Sequence, residues 1–291
     1  MSISRRICTL ALLVFLMVSI FGTNVSYADS SKVLYCIGSN VNERKDNSTS
    51  SNTVRSHEKG ERIHVIAEKD GWYQLTNGNW MYGKYLVSKE VAGQEFVDNS
   101  FEYMYCKGVN VNVRKGPGVN FKVVKQLAPG ERVKVRSFKK GWAILSSGDY
   151  VNSDFLCYTP EEVVKYYLKK YNDIVVISLS DQFAFYYFKG KIVGSEDIVS
   201  GKDETPTPTG VFTVCYKNTD CYLMEDSFVN YFVEFIRESG IGIHDASWRD
   251  CFGRTLYHSH GSHGCVNTKY DFAEIVYNNS TVGKTKVLVL S

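Results

Sequence analysis

The chain has 291 residues, of which 44% are hydrophobic and 22% are charged, a composition typical of an ordinary globular protein. Its formal net charge is only +3, so the charge gives no support to nucleic acid as a partner. The length is enough for two or three domains.

The N-terminal segment predicts a secretory signal peptide over residues 1–28. Arg5 and Arg6 precede an apolar run over residues 10–21, and small residues ending at Ala28 offer a cleavage site. This run is short for a membrane span, although an uncleaved anchor is the alternative. No other stretch approaches that length, so we expect a secreted, extracytoplasmic protein that leaves the membrane after cleavage.

The next part of the chain repeats itself at an offset of 70 residues. The matching stretches include 41–44 with 111–114, 60–62 with 130–132, and 71–72 with 141–142. Each copy consists of short alternating runs punctuated by Gly and Pro, which predicts a small β-barrel without helices. We therefore expect two β-barrel units, over residues 32–89 and 102–157, joined by a polar linker.

Seven cysteines follow the predicted cleavage site: Cys36, Cys106, Cys157, Cys215, Cys221, Cys251 and Cys265. An odd number in a secreted protein indicates at least one free thiol, for which Cys265 is the candidate. Cys215 and Cys221 flank a turn-like stretch over residues 217–220 and are one hypothetical disulfide. Cys106 with Cys157 is another, and seven reduced cysteines are an equally good alternative.

A short amphipathic helix is expected after the repeats. Thr159 fits the N-cap, Pro160 the first helical position, and the glutamate two residues later the capping box. Apolar and aromatic runs at 174–180 and 183–188 then predict strands. An alternating Thr-Pro run at 205–210 forces an extended backbone, as a loop that lines a groove or as an inert surface turn.

The motif Ser-His-Gly-Cys-Val-Asn at residues 262–267 indicates a reactive thiol. Cys265 has small and hydrogen-bonding neighbours, and His244 upstream is a candidate base. Gly264 leaves room for substrate and for backbone amides that hold an oxyanion. A helix predicted from Thr268 would begin close behind the cysteine, where its dipole favours a thiolate. These features predict a cysteine acyltransferase or hydrolase.

The same residues allow a zinc site as an alternative. His258, His260, His263 and Cys265 are ligand types that zinc prefers. A strand-like spacing would put His258 and His260 on one face but His263 on the other, and no cluster of further ligands accompanies them. We therefore expect neither a metal nor another cofactor.

The loop over residues 112–118, Asn-Val-Arg-Lys-Gly-Pro-Gly, resembles the corresponding loop of bacterial SH3 domains. The Gly-Glu-Arg turn and the Gly-Trp pair continue the likeness, whereas the first copy has lost the Gly-Pro from its loop at 44–51. The resemblance implies binding to the peptide part of the cell wall. The alternative is a pair of structural spacers.

Residues 172–291 resemble the catalytic domain of the L,D-transpeptidases. Ser200-Gly201, the Thr-Pro-Thr-Gly at 207–210, Ile243-His244 and the motif at 262–267 occur in the family's order. The resemblance implies a mainly β protein, in which two small SH3-like β-barrels precede a β-rich catalytic domain with short helices. In papain-like wall endopeptidases the cysteine precedes the histidine, so the order found here argues against them.

The resemblance also implies a role for each residue of the site. Cys265 corresponds to the nucleophile that takes up the acyl group as a thioester, and His244 to the general base. The backbone carbonyl of Asp245 would orient His244, although many relatives have glycine there. His263 and Gly264 correspond to supporting and oxyanion residues, and Ser262 and Asn267 to substrate-binding residues.

The expected function is therefore a secreted peptidoglycan L,D-transpeptidase. A tetrapeptide stem would be the acyl donor and an amine of a neighbouring stem the acceptor, giving a 3→3 cross-link. Carbapenems are the inhibitors that the resemblance implies. The alternatives are an L,D-carboxypeptidase that transfers the acyl group to water, and a wall-binding protein whose enzyme domain is inactive.

Overall fold

A computed structural model describes residues 32–93, 96–97, 99–223 and 227–291 of the chain. The predicted signal peptide, residues 1–28, lies outside the described residues. The fold is mainly β, as predicted, with two seven-stranded sheets followed by a five-stranded and a four-stranded sheet. Among the described residues, no helix has the length and apolar character needed to cross a membrane.

The first repeat forms one sheet. Its strands are β1 (Lys32–Cys36), β2 (Val41–Arg44), β3 (Thr53–His57), β4 (Arg62–Lys69), β5 (Trp72–Leu75), β6 (Trp80–Tyr82) and β7 (Leu86–Val87). They are hydrogen-bonded in the order β3-β2-β6-β5-β4-β1-β7. A short helix, α1 (Lys89–Ala92), begins the segment predicted as a linker.

The second repeat has the same architecture. Its strands are β8 (Glu102–Cys106), β9 (Val111–Arg114), β10 (Val123–Leu127), β11 (Arg132–Lys139), β12 (Trp142–Leu145), β13 (Tyr150–Asn152) and β14 (Leu156–Cys157). Their order, β10-β9-β13-β12-β11-β8-β14, is that of the first repeat shifted by seven strands. The internal duplication is therefore confirmed at the level of strand order, and assignment of the units to the SH3-like fold stays a prediction.

The two repeats differ in the chemistry of their interiors. In the first, Glu43 is fully buried, and its carboxylate lies 2.7 Å from Nε2 of the buried His57 and 2.8 Å from Nε of Arg55. The other ring nitrogen of His57 lies 2.9 Å from Glu61. In the second repeat the positions of Glu43 and His57, 70 residues on, hold the buried apolar residues Val113 and Leu127.

Charge pairing sets the protonation of this network. Burial acts to lower the pKa of His57, but its hydrogen bonds to Glu43 and Glu61 outweigh burial and raise that pKa above 6.5. Burial acts to raise the pKa of Glu43, but the hydrogen bond from His57 and the charge of Arg55 hold it well below 4.5. The network therefore favours the protonated form of His57 beside Glu43.

Replacing Glu43 and His57 by the residues of the second repeat, Glu43→Val with His57→Leu, should reduce the pH dependence of the stability of the first repeat. In the wild type, the raised pKa of His57 adds stability below pH 6.5 that is lost as pH rises through the folded pKa. The lowered pKa of Glu43 adds stability above pH 4.5 that is lost on acidification. Each single variant should cost about 3–5 kcal/mol, and the double variant far less.

Hydrogen exchange resolved by peptide between pH 4 and 9 would measure this, with the second repeat as the internal control. Equal pH profiles for wild type and double variant, after correction for the intrinsic exchange rate, would contradict the prediction.

The catalytic part contains two further sheets. The first sheet consists of β15 (Asp173–Ser178), β16 (Phe183–Phe188), β17 (Lys191–Asp197), β18 (Gly210–Thr213) and β23 (Lys286–Leu290), in the order β17-β16-β15-β23-β18. The second consists of β19 (Tyr216–Tyr222), β20 (Phe228–Ile236), β21 (Ile241–Asp245) and β22 (Val266–Thr268), in chain order. The α-helices here are α2 (Pro160–Leu168), α3 (Leu256–His260) and α4 (Tyr270–Asn279).

The predicted start of α2 is confirmed. Pro160 is at its first turn, and the hydroxyl of Thr159 accepts a hydrogen bond from the Glu162 amide at 3.3 Å. The predicted strands appear as β15 and β16.

The predicted turn over residues 217–220 is wrong, because these residues belong to β19. An extended strand rises about 3.3 Å per residue, which separates Cys215 and Cys221 far beyond the reach of a disulfide.

All seven described cysteines are free thiols. Cys106 and Cys157 lie on neighbouring strands, but the register pairs Cys106 with Leu156 and Cys157 with Tyr105. Since successive residues of a strand point to opposite faces, the two thiols lie on opposite faces of the sheet. The alternative with reduced cysteines is therefore the one the structure contains.

The second repeat is packed directly on the catalytic part. Tyr105 and Cys157 belong to one apolar cluster with Val163 and Val164 of α2 and with residues of the five-stranded sheet such as Leu288. A second cluster fills the space between the five-stranded and four-stranded sheets and includes Phe272 and Val276 of α4. The four-stranded sheet therefore rests on a rigid base and can present its other face as a site.

Candidate active site

Strands β20, β21 and β22 bring the predicted histidine and cysteine to one face of the four-stranded sheet. β21 and β22 are parallel, with Ile243 paired to Val266 and His244 paired to Asn267. Ile243 and Val266 are buried in the core between the sheets. Because side chains alternate along a strand, His244, Asn267 and Cys265 face the opposite way.

His244 is fixed by its neighbour in the chain. Its Nδ1–H donates to the backbone carbonyl of Asp245 at 2.8 Å, and only 3% of the residue is exposed. This bond selects the tautomer with the proton on Nδ1, which leaves the lone pair on Nε2 as the basic position. Burial lowers the pKa of His244, so the ring is neutral near neutral pH. The contact predicted for the Asp245 carbonyl is present, and its catalytic role stays a prediction.

The carboxylate of Asp245 has a different task. It accepts hydrogen bonds from the backbone amides of Asn230 and Tyr231 at 2.9 and 2.8 Å, and from the Asn230 side chain at 2.7 Å. The carboxylate thus ties the end of β21 to β20 and holds the carbonyl that orients His244. This gives a structural reason for aspartate at the position after His244.

Asn267 connects the histidine to a cation. With its amide nitrogen toward the ring, it donates to His244 Nε2 at 3.2 Å, and its oxygen accepts from Arg249 Nε at 2.8 Å. Asn267 is only 2% exposed, so in this structure it contacts the histidine rather than an open groove. The positive charge of Arg249 contributes to lowering the pKa of His244. Sequence reasoning missed Arg249, which no local motif marks.

The Cys265 thiol is half-buried and protonated. Its Sγ lies 3.8 Å from the carbonyl oxygen of Gly240, to which the thiol donates. Burial raises its pKa, and the charge of Glu234 adds to this effect. The predicted stabilisation of a thiolate by a helix N-terminus is wrong, because β22 intervenes and α4 begins only at Tyr270.

The loop before the cysteine is held by hydrogen bonds within itself. The hydroxyl of Ser262 donates to the Cys265 carbonyl at 2.5 Å and accepts from the Gly264 amide at 3.0 Å. Gly264 has a φ of +116°, and a Cβ there would lie 2.8 Å from Ile241 Cδ1. Only glycine fits both conditions. His263 is exposed beside this loop.

Comparison with known proteins identifies the family of this part of the chain. The model of the L,D-transpeptidase catalytic domain matches residues 172–289. The catalytic domain of Enterococcus faecium L,D-transpeptidase, solved by NMR, is 36% identical, with 40% of this chain and 96% of that chain covered and a TM-score of 0.37. The same domain acylated by ertapenem is 34% identical, with coverage of 41% and 98% and a TM-score of 0.36. No curated protein matches the chain.

The chain belongs to the L,D-transpeptidase family.

The Thr-Pro loop, residues 205–210, holds the loop that precedes Cys265 in place through hydrogen bonds. The hydroxyl of Thr207 donates to the Gly264 carbonyl at 2.8 Å and accepts from the Gly201 amide at 2.9 Å. Thr205 donates to the Ser262 carbonyl at 3.0 Å. The sequence identified this loop but not its task, which depends on contacts between segments 57 residues apart.

The histidines of the alternative zinc site do not gather in the L,D-transpeptidase domain. His258 and His260 lie on α3 rather than on a strand, and His258 Nδ1 is 2.8 Å from Asp203. Within the ranges that the structure describes, no group of three or more His, Cys, Asp or Glu side chains could hold a metal ion.

Replacing Thr207 by valine should destabilise the catalytic domain. The change keeps the shape of the side chain but leaves the Gly264 carbonyl and the Gly201 amide without their buried partner. We expect a loss of about 1–3 kcal/mol in the free energy of unfolding, measured by chemical denaturation. Thr209→Val on the same loop is the matched control, expected to stay within about 0.5 kcal/mol. Equal losses of unfolding free energy in both variants would show that the Thr207 hydroxyl does not stabilise the cysteine loop.

Proposed function

We propose that this protein is a cysteine-dependent transpeptidase that forms 3→3 cross-links between peptidoglycan stem peptides. One observation carries the proposal. Cys265, the residue before β22, and His244 of the neighbouring parallel strand β21 are directed to the same face, and the Asp245 carbonyl orients the imidazole, inside an L,D-transpeptidase domain.

The first step makes a thioester. His244 Nε2 takes the proton of the Cys265 thiol while Sγ attacks the carbonyl carbon of the third residue of a tetrapeptide stem. The bond to the terminal D-alanine then breaks, and the proton passes from His244 to the leaving amine. In the resting site the thiol donates to the Gly240 carbonyl and His244 Nε2 accepts from Asn267. Both hydrogen bonds must break when substrate binds, so that the thiol can give its proton to Nε2.

Both groups are neutral in the resting site. Burial raises the pKa of Cys265 and lowers that of His244, so the pair is neutral thiol and neutral imidazole near pH 7. The proton must therefore leave the thiol for His244 before or during the attack by sulfur. This differs from cysteine enzymes in which a thiolate–imidazolium pair exists before substrate arrives.

The oxyanion needs a donor near the cysteine. The Gly264 amide already donates to Ser262 in the resting loop. We therefore assign the contact to the backbone amide of Cys265, with Gly264 providing the close approach that a side chain would block. Ser262 and Thr207 then act by holding the loop that presents this amide.

The second step releases the acyl group to an amine. The amine on the third residue of a neighbouring stem attacks the thioester carbon, His244 accepts its proton, and the Cys265 thiol is regenerated with that proton. Water in place of the amine would give the L,D-carboxypeptidase reaction. As part of the same proposal, this chemistry takes place in the wall, which the signal peptide predicted at 1–28 and the predicted wall-binding repeats support.

Cys265→Ala should abolish product formation. Purified tetrapeptide muropeptides, incubated with the wild type and separated by chromatography with mass detection, should give a dimer that lacks one D-alanine. Cys251→Ala, which removes the exposed cysteine, is the matched control and should remain active. Monomeric tripeptide alone would indicate the carboxypeptidase, and full activity of Cys265→Ala would contradict the thiol mechanism.

The inactive Cys265→Ala protein should sediment with purified wall sacculi, and the second repeat should contribute. Val119 and Phe121, beside its SH3-like loop, are 80% and 42% exposed, whereas the first repeat has Thr49 and Ser51 there. The double substitution Val119→Thr and Phe121→Ser should weaken binding to sacculi by roughly tenfold or more if both side chains become buried against the wall. Val282→Thr, at an exposed position of the catalytic domain, is the control. If the unsubstituted protein stays in the supernatant, the repeats are spacers.

A further inference from the structure

An arginine without an acidic partner lies beside the candidate base. Arg249 follows β21 in the crossover to β22, and its amide donates to the Ala246 carbonyl at 3.0 Å, which closes a tight turn. Its Nε and Nη2 donate to the side-chain oxygen of Asn267 at 2.8 and 3.2 Å. Because Asn267 is the register partner of His244, their side chains share one sheet face, and the guanidinium lies over that face.

The protein itself does not neutralise this guanidinium. Among the described residues no carboxylate, that of the neighbouring Asp250 included, forms an ion pair with Arg249, and burial lowers the pKa of the guanidinium. Its Nε and Nη2 form a fork that in proteins commonly holds both oxygens of a carboxylate, but here the fork holds one neutral amide oxygen. A partly buried cation without an anion costs free energy, which a bound anion would offset.

The guanidinium can be reached from solvent. Arg249 is partly exposed, and Ser247, Trp248 and Asp250 around it in the chain are exposed. Asn267, which it contacts, is only 2% exposed. An anion that arrives from solvent can therefore reach Arg249 without any opening of the core.

The proposed reaction supplies such an anion. The donor stem ends in D-alanine, whose carboxylate carbon is two bonds, about 2.5 Å, from the nitrogen of the bond that breaks. His244 Nε2 must come within about 3 Å of the same nitrogen to give it the proton. In the resting site the Asn267 amide, whose nitrogen and oxygen are about 2.2 Å apart, connects Nε2 to the guanidinium. The leaving D-alanine can therefore span the same gap.

We propose that Arg249 binds the terminal carboxylate of the donor stem, and so selects stems that end one residue beyond the acylated carbonyl. This assignment rests on the proposed function. The carboxylate takes the place of the Asn267 oxygen on the Nε–Nη2 fork. Asn267, released by Arg249, then leaves His244 Nε2, so the binding of a donor with a free terminal carboxylate frees the base for the thiol proton.

The test compares two tetrapeptide donors, one that ends in a free carboxylate and one that ends in the primary amide. Acylation of Cys265 is followed by intact-protein mass spectrometry without an amine acceptor. The wild type should react about tenfold to hundredfold faster with the carboxylate donor, because the amide lacks the charge that pairs with Arg249. Arg249→Gln should bring the two donors close to parity. Arg254→Gln, which removes an exposed arginine of the same crossover, should keep the wild-type preference.

The other outcomes separate the alternatives. Arg249→Lys keeps the charge but not the fork, and it should show an intermediate preference even if the glutamine variant does not fold. If both variants react more slowly by the same factor with both donors, Arg249 acts only through Asn267 on His244 and the carboxylate assignment is overturned. Equal rates of the wild type with both donors would overturn it as well. If the wild type forms no thioester with any stem peptide while iodoacetamide alkylates Cys265, the proposed function itself fails.

Discussion

The parallel pairing of β21 with β22 is the constraint on which the whole site depends. Parallel neighbours cannot be joined by a tight turn, so the chain makes a long crossover between them, and α3 and Arg249 lie within it. The register sets His244 opposite Asn267. A slip of one residue would turn Cys265 into the core and Val266 out toward substrate, so hydrophobic burial of Ile243 and Val266 fixes the chemistry as well as the fold.

The cysteine and the histidine of the candidate site were predictable from sequence because each lies in a short local motif. The capped start of α2 was predictable for the same reason. Thr207 and Arg249 were not, since each acts through contacts between segments that are distant in the sequence. The helix-dipole argument failed because three residues of strand suffice to move a helix start away from the thiol. The suggested Cys215–Cys221 bridge failed because polar residues in a row resemble a turn, although they can also form an exposed strand.

The two repeats show how far sequence similarity determines an interior. Their strand order is the same, and their shared Gly and aromatic positions explain it. Yet one interior holds an ion network around Glu43 and His57, and the other holds Val113 and Leu127 at the same positions. The same strand order therefore accommodates either an ion pair or an apolar pair at these two buried positions. An apolar pair needs only a complementary shape, whereas a buried ion pair also needs hydrogen-bond partners for its oxygens and nitrogens.

The apolar cluster shared by the second repeat and the catalytic part has a mechanical consequence. Arg62 and Lys134 link the first repeat to the second through ion pairs with Glu102 and Glu58, so direct contacts join the first repeat, the second repeat and the C-terminal part in series. A flexible tether would let the thiol sample a sphere of wall around an anchoring point. If the repeats bind the wall as proposed, an arm held by these contacts would restrict it to a fixed distance and direction from that point. The spacing and orientation of neighbouring glycan strands, rather than affinity alone, would then decide which stems the enzyme can join.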